Sequence, residues 1–187
     1  MCIATDTHME VFSYLPTLHE LISQLNADIG HTQYYWIIAF ASGMLVLHGM
    51  YIMLVVLCFH KLVEWLSNQQ HITKDFLHAF RMAAVIAYFI SILLVILGHF
   101  ADIFMWTYAL IALKIFTSNP DAFYFAGEMY TTVGFGSYEL EKNWRILPII
   151  IAFTGIFAAS MSGAALFNML SSLIDKSRTA SGNSSYS

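Results

Sequence analysis

Positive charge is missing from the first third of the chain: no Lys or Arg precedes Lys61. A cleavable export signal opens on such charges, so none is expected here. Cysteine is scarce too. Cys2 and Cys58 are too few for a disulfide framework, and both are expected as free thiols. Charged residues make up 11% of 187 positions, against about 25% in soluble domains. Apolar residues fill the gap, with 58% hydrophobic, 16% aromatic and a mean hydropathy of +0.65. That balance excludes an ordinary soluble domain and points to one compact α-helical domain within a lipid bilayer. No Ser-His-Asp, Cys-His or phosphate-loop constellation occurs, so catalysis is not expected. Neither a nucleic-acid partner nor a soluble ligand domain is expected.

Three stretches are free of Asp, Glu, Lys and Arg over a membrane thickness, which takes about 20 residues. They are 29–60, 82–101 (continuing past Asp102 to about Leu113) and 146–174. The reading is three transmembrane helices, with a re-entrant pore helix and loop between the second and third. Its segments are 1–30, an N-terminal part with an amphipathic helix; 31–80, the first span and a loop; 81–174, a pore module; and 175–187, a polar tail.

Thr17 and Glu20 fit a capping box opening that amphipathic helix. Its apolar face leaves two readings, a helix on the membrane surface or a cap over a pore. The run 67–70 reads as a helix break, and Thr73 as the N-cap of the second helix. Loop 61–81 and the tail together hold five Lys or Arg, against three on the pore-loop side, at Lys114, Lys142 and Arg145. The positive-inside tendency then puts loop and tail in the cytoplasm and the N-terminus outside, in the cell membrane. The segment 179–187, small and polar, is expected to be disordered.

Between the last two spans, Asn119 fits an N-cap, Pro120 a first helical position and Asp121 the positive end of the helix dipole. A 12-residue helix from there reaches about 18 Å, against a hydrocarbon core about 30 Å thick. It enters and cannot cross. It delivers Thr131-Thr132-Val133-Gly134-Phe135-Gly136. Successive carbonyl rings can replace the water shell of a potassium ion. Glycine at alternate positions supplies the positive φ that aims them along one axis. Thr132, Val133, Gly134 and Phe135 are the expected ion-coordinating residues, with Gly136 shaping the outer mouth. Val133 and Phe135 are expected to pack behind the filter.

From about Arg81 to Leu173, half of the chain, the sequence resembles the pore module of potassium channels. It is similar to small bacterial ion-channel proteins that share His99, Asp102 and Trp106 on the outer helix, Ala122-Phe123-Tyr124-Phe125 in the pore helix and Trp144-Arg145 before the inner helix. The resemblance implies a four-fold pore. With one pore loop per chain, that means a homotetramer. Potassium at the filter is then the only bound species expected. The implied function is passive potassium conduction. The alternatives are a weakly selective cation channel, or a non-conducting scaffold or sensor that kept the pore fold. Two departures concern filter support around Thr131. Ser137 stands where potassium channels commonly have Asp, so Glu128 in the pore helix lacks its usual partner, and Phe135 replaces Tyr.

An ionisable group within a span is costly, which makes Asp102 a functional candidate, with His99 one turn away. The pair reads either as a pH-sensitive latch or as a structural polar knot. Gly155 reads either as a gating hinge of the inner helix or as a small residue permitting close helix approach. Of eight histidines, no pair has a convincing metal-binding spacing, so no metal other than potassium is expected. No span carries the regular Arg spacing of a voltage sensor.

Overall fold

The computed structural model describes residues 17–20, 22–23, 33–69, 76–136 and 138–183. Among the described residues, four α-helices carry the architecture: α1 (Gln33–Gln69), α2 (Phe76–Ala112), α3 (Asn119–Tyr130) and α4 (Leu147–Asn183). A short 3-10 turn, Lys142–Trp144, precedes α4. Within these helices, Tyr35–Trp65, Met82–Ala112 and Leu147–Asp175 are long and apolar enough to cross a membrane. The chain is a multi-pass membrane protein. Helices suit the charge-free runs because each satisfies its own backbone polar groups where no water is present. Buried Ser91 and Thr107 follow the same logic, donating to the carbonyls of Ala87 and Ile103 one turn back.

The three long helices, of 37 residues each, run longer than the charge-free stretches. Helix α1 continues to Gln69, through the break expected from residue 67, because Ser, Asn and Gln only slightly disfavour helix. The Thr73 cap lies outside the described residues. Helix α4 continues to Asn183, past the point at 179 where order was expected to end. No proline interrupts it after Pro148. The capping box is present: the Thr17 amide donates to Glu20 Oε2 (2.9 Å) and the Glu20 amide to Thr17 Oγ1 (3.3 Å).

Helix α1 packs against α2 and α4, while α3 packs against α2 and α4. The core falls into two parts. At one end α3 wedges in, and Trp106, Leu110, Phe125, Tyr130, Leu147 and Ile151 pack with Ile37, Ala41 and Met44 of α1. At the other end the three long helices meet directly, through Ile52, Val55, Phe59, Val63, Ala87, Val95 and Met169. Trp106 ties the first cluster together. Its ring sits edge-on to Phe40 at 5.2 Å, and its Nε1 donates to Thr154 Oγ1 (3.0 Å). Outward faces remain apolar, with Trp36, Leu47, Phe89, Leu97 and Phe104 exposed.

Candidate ion-conduction site

Ser118, in extended conformation, is the N-cap residue of α3, one position before the expected Asn119. Its carbonyl accepts from the Ala122 amide (3.1 Å). Asn119 and Pro120 therefore take the first helical positions, where an amide has no helical partner and proline costs nothing. Asp121 lies in the first turn, as expected.

The other end of α3 shapes the following stretch. Thr131 closes the helix in right-handed conformation, its amide and hydroxyl both donating to the Gly127 carbonyl (2.9 and 2.7 Å). The Thr132 amide then donates to Met129 O (3.0 Å), and the amides of Val133 and Gly134 both donate to Glu128 O (2.9 and 3.3 Å). The chain thus folds back over the last turn of α3 before departing. Beyond it the backbone alternates. Thr132, Gly134 and Gly136 have φ of +62°, +53° and +70°, whereas Val133 and Phe135 lie outside the positive region. The two glycines were expected there. Thr132, expected as an ion-coordinating residue, was not expected to take positive φ, and a β-branched residue in that region is a strained outlier. Strain of this kind concentrates at functional sites.

Within one chain the whole run Thr131–Gly136 is exposed, Val133 and Phe135 by 55% and 78%. The expectation that these two side chains pack behind the filter is therefore not met by residues of the same chain. Ser137 lies outside the described residues. Glu128 Oε2 is buried without a hydrogen-bond partner. Tyr138, beyond the run, has its phenol pushed up by partial burial and by the nearby carboxylates of Asp121 and Glu128, with Tyr124 adding to the rise.

His99 and Asp102 do come together, through a residue that the sequence reading missed. The Tyr130 hydroxyl, on the last residue of α3, donates to Asp102 Oδ2 (2.7 Å) and lies 3.0 Å from His99 Nδ1. A second missed residue, His48 of α1, joins them. Its Nδ1 is 2.6 Å from Asp102 Oδ2, and its Nε2 is 3.1 Å from Ser162 Oγ of α4. All four helices meet in this cluster. His48 was findable, as a histidine near the middle of a charge-free run. Spacing rules did not find it because its neighbours belong to other helices.

Gly155 sits on α4 opposite the end of α3. A Cβ there would overlap the Tyr130 carbonyl, so of its two readings close approach has a direct structural cause.

Residues 90–172 match the model of a family described as an ion channel. The match begins on α2, takes in α3 and the alternating run, and ends on α4. Over this segment the chain is similar to that ion-channel family, which is consistent with a small pore module. No curated protein and no solved structure matches the chain.

Proposed function

We propose that the protein is a passive potassium-selective channel, assembled as a homotetramer around the run Thr132–Gly136. The observation that carries this reading is the alternation of positive φ at Thr132, Gly134 and Gly136 directly after a 12-residue helix. That alternation supports a backbone whose carbonyls face one axis. The position of α3 supports its re-entry: its C-terminal Tyr130 is bonded to Asp102, ten residues or about 15 Å along α2 from Ala112. The negative end of the α3 dipole then favours a cation at the filter. Thr132, Val133, Gly134 and Phe135 coordinate the ion and Gly136 shapes the mouth, with Thr131 and Glu128 as support. Exposure of the run on one chain supports closure by three further copies. The N-terminus lies outside and the tail in the cytoplasm of the cell membrane.

The test is flux from purified protein in liposomes. Reversal potentials in potassium–sodium gradients near the potassium value, block by barium and loss of flux on Gly134→Ala are the expected results. No flux at any pH or voltage sinks the channel reading in favour of a scaffold or sensor. One observation favours a weakly selective cation channel as second reading: Glu128 Oε2 behind the run has no partner. Comparable sodium and potassium currents are its signature.

A further inference from the structure

We propose that His48, His99 and Asp102 form an intramembrane site for a divalent first-row transition metal of the Zn2+ class. One ligand atom from each of the three residues lies within 4.8 Å of the other two. Two imidazole nitrogens and a carboxylate oxygen are a donor set that suits such ions and not Mg2+ or Ca2+, which take oxygens. A water completes four-fold coordination.

Two observations separate this cluster from a closed hydrogen-bond knot. First, His48 is 3% exposed, and its Nδ1 is held 2.6 Å from Asp102 Oδ2 as an ion-pair contact that lacks hydrogen-bond alignment. A buried nitrogen facing a carboxylate without that alignment is poorly satisfied. A cation between it and the carboxylate uses it, after the two atoms separate slightly. Second, the outer contacts of the site are in place. Ser162 Oγ holds the other ring nitrogen of His48, and Tyr130 bridges His99 and Asp102. Partners of that kind fix the ring orientation of metal-bound histidines.

The cluster also has access on two sides. A cavity of about 350 Å³ between α1 and α2 is lined by His48 and Asp102 with Tyr51, Gly98, Ala101 and Met105. A second, of about 430 Å³, reaches His99 and Tyr130 from the side of Thr131, Thr132 and Gly155. An ion bound here clamps α1 to α2 and, through Tyr130, bears on the residue before the alternating run.

The test uses the purified full chain in detergent micelles, stripped with chelator and titrated with Co2+ and then Zn2+. One Co2+ per chain, with the intense visible absorption of a tetrahedral site and displacement by Zn2+, is the expected result. His48→Gln and His99→Gln each lower the affinity at least about 100-fold, given that outer-shell losses alone cost 10–100-fold. Ser162→Ala, which leaves all three ligands, lowers it about tenfold and covers the case in which a ligand variant does not fold. Absence of tetrahedral Co2+ absorption in folded protein, or full affinity in all three variants, overturns the proposal.

Discussion

Gly155 faces the main-chain carbonyl of Tyr130 so closely that a methyl group at Gly155 would overlap it. Backbone, unlike a flexible side chain, cannot swing aside. Gly155→Ala therefore pushes α4 away from α3, at a cost of at least about 1–3 kcal/mol. The thermal midpoint in detergent falls, and filter function falls with it. Gly163→Ala is the control, because a Cβ there meets nothing within 4 Å. A hinge at Gly155 predicts the opposite split: stability retained in Gly155→Ala and opening slowed.

Trp106 and Thr154 give a second prediction. Trp106→Phe keeps an aromatic ring beside Phe40 but removes the N–H that Thr154 Oγ1 accepts. Thr154 still donates to Ile151 O (2.7 Å), so its loss is one bond. The expected cost is about 1–3 kcal/mol. A double-mutant cycle with Thr154→Val measures the coupling by thermal unfolding; independent, additive effects count against the contact.

Thr132 gives a third. Thr132→Gly relieves a β-branched residue held at φ +62° and removes the hydroxyl. Stability is expected to hold or rise by up to about 1 kcal/mol, given the ~1–2 kcal/mol cost of a left-handed L-residue. If the run is the proposed filter, potassium selectivity falls as well, because the Thr132 hydroxyl would supply an oxygen ring at its inner mouth. Paired unfolding curves and reversal potentials check both halves; a destabilised variant contradicts the strain.

The capping box supplies a pH dependence. The Thr17 backbone amide, and then its hydroxyl, hold the Glu20 carboxyl below the ordinary glutamate value. A carboxyl lowered in the folded state stabilises the helix start fully above its unfolded pKa, and that contribution is lost as pH falls through the lowered value. Carboxyl-carbon NMR of the whole protein should put the Glu20 midpoint below those of exposed glutamates. Removing the Thr17 hydroxyl in Thr17→Ala should move it part of the way back, since the backbone amide remains. A Glu20 midpoint equal to the others refutes the box.

Much of the fold was legible because membranes impose simple sequence rules. Charge-free length marked the three spans, and Pro120 with Asp121 marked α3 to within one residue. Gly134 and Gly136 announced their own conformation. Three features were not legible, each for a physical reason. Thr132 is no left-handed former, and only its place between the end of α3 and Gly134 puts it there. His48 and Tyr130 meet His99 and Asp102 across helices, where spacing along the chain carries no information. Gly155 had two local explanations, and only the position of the Tyr130 carbonyl distinguishes them.

The positive φ values at Thr132, Gly134 and Gly136 carry a consequence about handedness. Alternate residues there occupy the conformational region native to D-amino acids. The stretch is in effect an L,D-alternating peptide written with achiral glycine, with Thr132 as its one chiral exception. Mirror-image alanine at 134 or 136 would thus fit a backbone that ordinary alanine strains. The specification at those two positions is stereochemical, set by which hand the main chain turns and not by any group the residues carry.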